Sequence, residues 1–313
     1  MRTLICGSLA FDTIMVFQDQ FKNHILPENL QFLNVCFFVP EMRREFGGTA
    51  GNIAYNLKLL NGEPLIMATV GNDFAGYSAW LAENGISPRH IRTISETYTA
   101  QAFITTDLDD NQITAFHPGA MQQSHLNSVN ETDNIKLAII APDGREGMFM
   151  HARECAEAGI PFLFDPGQGL PMFTGDELLD FIDKADYLAV NQYEAQLLQE
   201  KTNLTLEALA SRVKALVATK GAKGSTIYTN GQRIEISCVQ ADALVDPTGC
   251  GDAYRAGLLY GIARGWDWKK SGQLAAVMGA IKIASRGGQN HRPDRAEIAD
   301  RYEKAFNEKI DLS

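Results

Sequence analysis

The chain has 313 residues, enough to bury a large core as one big domain or as one domain with a small appendage. Apolar residues make up 45% and charged residues 21%, an ordinary globular balance, and 28 Lys and Arg against 38 Asp and Glu leave a net charge of -10. The absence of a basic stripe argues against a nucleic-acid partner, no apolar run is long enough for a membrane span, and five scattered cysteines without a C-x-x-C pair argue against a disulfide framework or a zinc site, so a reducing, cytoplasmic setting is expected.

Thr3 to Cys6 is a short apolar run ending at Gly7, which reads as a buried strand. Ligands gather outside strand ends in open α/β folds, which makes Asp12 a candidate substrate contact, although a solvated loop Asp would look the same. Two runs rich in aromatic and β-branched residues, Thr13 to Phe17 and Phe32 to Pro40, flank a polar span containing Pro27 and Asn29. They read as strands of a small sheet standing over the site. Gly47, Gly48 and Gly51 then run into an apolar-periodic helix that ends before Asn61-Gly62. Clustered glycines permit close backbone approach to a ligand, and Asn52 can both donate and accept, as a sugar hydroxyl requires. Tight helix packing explains Gly51 equally well.

Pro64 to Val70 reads as another buried strand, and Gly71-Asn72-Asp73-Phe74-Ala75-Gly76 as scaffold leading into a helix closed by Gly85. Thr99 to Asp107 and Gln112 to Phe116 flank Leu108-Asp109-Asp110-Asn111 in a hairpin pattern, and His117-Pro118-Gly119-Ala120-Met121 returns to the body. Beyond this, strands at Ile135 to Ala141, Pro161 to Asp165, Tyr187 to Val190 and Ala215 to Thr219 alternate with helices at Gly147 to Gly159, Gly175 to Ala185 and Leu204 to Val213. Such alternation means βαβ units and a mainly parallel sheet. Asn191 and Glu194, three apart after a strand, suit a capping box that leaves one carboxylate oxygen available. Lys220-Gly221-Ala222-Lys223-Gly224-Ser225 is a glycine-containing turn without the order of a P-loop.

Asp246-Pro247-Thr248-Gly249-Cys250-Gly251-Asp252-Ala253 opens a further helix. Two glycines flanking one small residue let several N–H groups point one way at a helix N-terminus, a place that holds phosphate. A carboxylate there would repel the ligand unless it has its own task, such as taking a proton from an attacking hydroxyl. An ordinary first-turn Asp that favours the helix dipole is the plainer reading. Leu274 to Ala284 reads as an apolar helix, Arg286-Gly287-Gly288-Gln289-Asn290 as a turn, and Arg295 to Phe306 as a charged surface helix.

The octapeptide from Asp246 resembles the second signature of the ribokinase-like (PfkB-type) carbohydrate and nucleoside kinases, and Gly47, Gly48 and Asn52 match the first. The resemblance spans essentially the whole chain. It implies a three-layer α/β fold with a mainly parallel central sheet, in which residues 13–46 and 97–116 form a β-sheet lid on a body of residues 1–12, 47–96 and 117–313. It makes Asp252 the general base, Gly249, Cys250 and Gly251 the anion hole, and Asp12, Gly47, Gly48 and Asn52 the ribose contacts. Asn191 and Glu194 would serve Mg²⁺ through water, Lys220, Gly221 and Gly224 would line the ATP site, and Gly288 would lie near the adenine of ATP. A monovalent cation, K⁺, is left open beside Asp246 and Thr248.

The run from His117 to Met121 is similar to prokaryotic adenosine and nucleoside kinases, so the implied reaction is ATP- and Mg²⁺-dependent phosphorylation of a nucleoside 5'-hydroxyl, adenosine foremost. Phe17, Phe32, Phe37 and Phe38, with Phe116 and Met121, would either offer apolar surface to the base or form the core of the lid. A ribokinase or other sugar kinase and a non-catalytic nucleoside-binding regulator are the competing readings. Asp165-Pro166-Gly167-Gln168 lacks the Asn-x-Arg ending of many sugar kinases, which speaks against a phosphosugar. Monomer and homodimer both stay open.

Overall fold

The computed structural model describes residues 2–25, 31, 34–109 and 111–312. In β1 (Arg2–Cys6), Leu4 and Cys6 join one apolar core and Ile5 the other, because successive side chains of a strand point to opposite faces. The same split runs through β4 (Glu63–Val70) and β8 (Ile135–Ile140), where Ile66 and Ile139 face one way and Met67 and Ile140 the other. Strands buried on both faces need helices on both faces. One layer holds α1 (Thr49–Leu59), α2 (Ala75–Glu83), α7 (Cys250–Ala263), α8 (Trp268–Ile283) and α9 (Arg295–Phe306), which bury Ile53, Tyr77, Leu258, Leu274 and Ile298. The other holds α3 (Arg145–Glu157), α4 (Gly175–Lys184), α5 (Gln192–Thr202) and α6 (Leu206–Ala210), which bury Met148, Leu178, Leu198 and Leu209.

The main sheet is completed by β5 (Ser87–Thr93), β9 (Phe162–Phe164), β10 (Tyr187–Asn191), β11 (Ala215–Thr219), β12 (Ser225–Thr229) and β13 (Gln232–Ile236), in the order β13-β12-β11-β10-β9-β8-β1-β4-β5. From β5 to β11 every neighbouring pair is parallel, while β12 and β13 return antiparallel. A smaller sheet is built from β2 (Ala10–Val16), β3 (Glu41–Gly47), β6 (Ala100–Thr106) and β7 (Gln112–His117), in the order β3-β2-β6-β7. It begins at Ala10 and ends at His117, slightly inside the spans expected to belong to the body. No helix among the described residues is long and apolar enough to cross a membrane.

The strand expected over Phe32 to Pro40 is not where pairing occurs. Residues 34–39 form no strand, Phe32 lies outside the described residues, and pairing begins at Glu41, just past Pro40, which has no N–H to donate. The helix expected over Leu204 to Val213 shrinks to α6, started by the Thr205 side chain, which accepts from Ala208 N. The apolar helix expected from Leu274 starts earlier, at α8, where Asp267 caps the N–H of Lys270. The edge strands β5 and β13 were not anticipated, because solvent-facing edges carry a polar pattern.

Candidate active site

The neighbours of β1 are β4 on one side and β8 on the other, so successive connections leave it in opposite directions, and the crevice at its carboxyl end is where such sheets take ligands. Asp12 stands just beyond that end, on β2. A Cβ at Gly47 would lie 2.5 Å from Asp12 Oδ2, so the absent side chain is the space that this carboxylate fills. Gly48 caps α1 with φ +84, and a Cβ there would lie 2.5 Å from the Ser8 carbonyl oxygen. Only glycine suits that combination of left-handed φ and contact. Burial, with the Asp246 and Glu45 carboxylates nearby, pushes the Asp12 carboxyl up to about 6.

Asn52, in the first turns of α1, donates from Nδ2 to Asp252 Oδ2 at 2.8 Å. Its Oδ1 accepts from Gln289 Nε2 at 3.1 Å, and Gln289 Oε1 accepts from Trp80 Nε1 at 3.0 Å. An indole N–H can only donate, so Trp80 fixes the orientation of the Gln289 amide, which in turn fixes that of Asn52. Gln289 also donates to Tyr77 Oη at 2.6 Å, and Tyr77 passes its own proton to the Gly47 carbonyl at 2.8 Å. The donor end of Asn52 is thereby aimed at Asp252. Gln289, Tyr77 and Trp80 carried no sequence signal for this task.

Burial pushes the Asp252 carboxyl up to about 7, opposed by the Asn52 hydrogen bond and by Arg255, and reinforced by Asp165 and Asp12. Arg255, one turn further along α7, is buried and donates from Nε to Asp165 Oδ2 at 2.9 Å and from a terminal nitrogen to Oδ1 at 3.2 Å. This bidentate pair holds the Arg255 guanidinium and the Asp165 carboxylate in fixed places near Asp252, where they act on it in opposite directions.

At the N-terminus of α7, Gly249 adopts the left-handed conformation with φ 78 and no side chain caps the helix. Cys250 N–H goes to the Pro247 carbonyl and Ala253 N–H to that of Gly249, while among the described residues no acceptor takes the N–H of Gly251 or Asp252. Two adjacent unpaired donors at a helix start are free to take an anion. A Cβ at Gly251 would meet nothing within 4 Å, and its φ is not left-handed, so neither crowding nor backbone strain demands glycine there. The Cys250 thiol lies 3.9 Å from the Asp246 carbonyl oxygen, and burial pushes it up to about 11.

The capping box of Asn191 and Glu194 is present, but it uses both carboxylate oxygens. Asn191 N and Nδ2 each donate to Glu194 at 2.7 Å, on different oxygens, so the expectation of one uncommitted oxygen is corrected. Each oxygen keeps a second lone pair. Burial and the Asp165 carboxylate raise the Glu194 carboxyl above its usual range. Among the described residues no three His, Cys, Asp or Glu side chains gather as a metal cage. A single carboxylate still suits Mg²⁺, which keeps most of its waters and leans on substrate phosphates.

Lys220 Nζ is held by Thr226 Oγ1 at 2.7 Å and Glu235 Oε2 at 3.0 Å, and Gly221 opens to free space. Gly224 does not: a Cβ there would lie 2.1 Å from the Ile236 carbonyl, so this glycine serves the approach of β13. Gly288 lies against Asn52 and Gly249, where a Cβ would lie 2.3 Å from Asn52 Oδ1, so its missing side chain makes room for the acceptor-side amide. Beside Thr248, the Asp246 oxygens that could ligate an alkali ion already take hydrogen bonds. The Asp246 carboxylate takes the N–H groups of Thr248 and Gly287, and its carbonyl takes the Lys282 ammonium.

Of the aromatic candidates, Phe17 and Phe37 pack on each other and on Phe21, with ring centroids 4.8 and 5.1 Å from the Phe37 ring, an apolar cluster of their own at the end of β2. Phe38 and Phe116 are exposed and Met121 is half-buried. Asp12 pairs with Ala102 and Ala102 with Phe116, so Phe116 shares the face of Asp12.

Residues 25–295 match the pfkB family of carbohydrate kinases. A nucleoside kinase of Methanocaldococcus jannaschii is 34% identical over 274 residues, 87% of this chain and 90% of that protein. The solved structure of Burkholderia thailandensis nucleoside kinase in complex with inosine is 52% identical, covers 98% of this chain and 99% of its own, and superposes with a TM-score of 0.90. The same enzyme in complex with ADP-inosine is 53% identical, with a TM-score of 0.88 over 99% of this chain and 98% of its own.

Proposed function

Because this chain belongs to the pfkB family of carbohydrate kinases, we propose that it moves the γ-phosphoryl group of ATP to the 5'-hydroxyl of a purine nucleoside, adenosine foremost. The products would be ADP and the nucleoside 5'-monophosphate. The observation that carries this reading is the Asn52-oriented carboxylate of Asp252 beside two unpaired N–H groups of α7. A carboxyl near 7 is matched to accepting a hydroxyl proton at neutral pH, and the amides stabilise charge on the transferring group without reorganising.

Asp12 and the neighbouring glycines would hold the ribose so that its 5'-oxygen faces Asp252, and the proton of that hydroxyl goes to the carboxylate as the oxygen attacks phosphorus. Mg²⁺, when bound, would supply positive charge that offsets the phosphate charge, and Glu194 would hold it through water. Gly221 and Lys220 would flank ATP. The small sheet would act as a lid, shielding the reacting groups from water. Two relatives named as nucleoside kinases, one of them solved in complex with inosine, support a nucleoside over a free sugar.

An ATP-consumption screen over adenosine, inosine, guanosine, cytidine, ribose and fructose 6-phosphate tests the proposal. Adenosine should exceed ribose in kcat/KM by at least about 10²-fold, roughly 2.7 kcal/mol of differential transition-state binding. Equal values or a preference for ribose would discard the nucleoside assignment. Tight nucleoside binding without ATP turnover would discard catalysis.

A further inference from the structure

Lys282 is the one cation of an otherwise apolar stretch of α8, between Ile281 and Ile283, and none of its surface is exposed. Its Nζ donates to the main-chain oxygens of Asp246, at 2.8 Å, and Ser285, at 3.0 Å. These carbonyls come from two segments that meet under the candidate anion hole. Asp246 opens the loop to Gly249, Cys250 and Gly251, and Ser285 opens the turn to Gly287 and Gly288. The segments are also stitched directly: Val245 N–H and Asp246 N–H both reach the Ile283 carbonyl, at 2.9 and 3.1 Å, and Gly287 N–H reaches Asp246 Oδ2 at 2.8 Å. The lysine stem runs close beneath the hole, its Cε lying 3.7 Å from where a Cβ of Gly249 would stand.

Burying an ammonium is costly unless its protons are satisfied, and a Met of similar length would fill this space without that cost. The site compensates the charge with two carbonyls at the negative end of the α8 dipole. An ammonium gripped by main-chain carbonyls is a compact monovalent cation in all but its covalent tether. An alkali ion drawn to the Asp246 carbonyl would stand against this ammonium, and two like charges that close repel, so the residues present do not fit it.

We propose that Lys282 is a built-in monovalent cation: it takes the place of K⁺ under the anion hole, fixes the loop that carries Gly249, Cys250 and Gly251, and makes turnover independent of added alkali ions. Lys282 is thus a positioning residue that acts through the backbone of that loop. The inference rests on the kinase reading given above.

The test measures turnover of ATP with adenosine at constant ionic strength, with K⁺, Na⁺ or tetramethylammonium as the counter-ion, for the wild type and for Lys282→Ala and Lys282→Met. The wild type should be indifferent to the ion. Lys282→Ala, which vacates the position, should lose about 10²-fold in kcat from misplacement of the hole, and added K⁺ or ammonium should restore part of it. Lys282→Met, which fills the position with an uncharged stem, should lose as much and recover nothing. A merely structural lysine would give no ion-specific rescue. Strong activation of the wild type by K⁺ overturns the proposal, as does a folded Ala variant that keeps full turnover or ignores every added ion. Should both variants fail to fold in thermal melts, the wild-type series decides alone, indifference supporting the proposal and K⁺ activation ending it. A wild type with no turnover in any salt refutes the kinase reading itself, a distinct result.

Discussion

Around Asp252 the polar side chains hold one another: Trp80 fixes Gln289, Gln289 fixes Asn52, Asn52 meets the Asp252 carboxylate, and Arg255 is locked on Asp165. The small sheet and the segment before β3 are the reverse, with Phe38, Met42 and Phe116 at 80%, 69% and 53% exposure and the polar ties gathered at the outer turn, where Asp107 takes the N–H groups of Phe21, Asp109 and Asn111, and at the root. There Asp73 binds Arg44 of β3, Thr99 N–H and Gln101 of β6, so the run read as scaffold anchors the sheet to the body. A preorganised floor suits chemistry that a small displacement would spoil, whereas an apolar surface open to solvent gains its contacts only once something covers it. The floor should therefore govern kcat and the sheet should govern affinity for the base.

The sharpest way to break that division is Asp252→Asn, which keeps size and removes the proton acceptor. It should lower kcat by roughly 10²–10⁴-fold and leave KM within a small factor. Near wild-type turnover, read by steady-state kinetics, would remove Asp252 from its assigned role. Next is Gly251→Ala. A Cβ there meets no protein atom, and alanine favours a helix by about 0.5–1 kcal/mol over glycine, so the melting temperature should hold or rise. Turnover should still fall, by about 10²-fold, if phosphate approaches this backbone. A stable variant with full activity would mean that it does not.

The pH profile tests the relay behind the base. Only the ionised carboxylate of Asp252 accepts a proton, and with its carboxyl near 7 the kcat/KM of the wild type should rise as pH passes through about 7 and level off above. The hydrogen bond from Asn52 favours the charged form, so Asn52→Leu should move that rising limb to higher pH, with the largest loss on the acid side. An unmoved limb would show that Asn52 orients nothing that titrates.

Much of this was legible in the chain. The βαβ alternation, the hairpin before His117 and the order of the glycine motifs located the sheet and the helix start of α7. Asn52 and Asp252 could each be named from local pattern, but their contact joins residues 200 apart and no spacing foretells it. Arg255 was within reach, because a residue three beyond Asp252 on a helix shares its face. Lys282 was too, as a charge inside an apolar run. Gly224 and Gly288 show the opposite failure: a glycine in a ligand motif can be required by a neighbouring carbonyl or amide, and the sequence cannot tell close approach to a ligand from close approach to the protein.

The smallest effect is expected from the sheet, and it decides whether the sheet reads the base at all. Phe116 and Asp12 lie in one cross-strand row through Ala102, two strand spacings or about 10 Å apart, and on the same face. If Asp12 holds the ribose, an aromatic ring at that remove is placed to lie against a purine. Phe103 is exposed on the same sheet but pairs with Thr13 and Ala115, on the opposite face, and serves as the internal control. Stacking of one ring is worth about 0.5–1.5 kcal/mol, so Phe116→Ala should raise KM for adenosine by roughly 2–10-fold, leave kcat nearly constant and spare the melting temperature, since the ring is already in solvent. Phe103→Ala should change neither constant. Phe17→Ala should lower the melting temperature instead, because that ring is buried between Phe21 and Phe37. Equal KM values for Phe116→Ala and wild type, or the same rise from Phe103→Ala, would remove base recognition from this face and leave selectivity to the body.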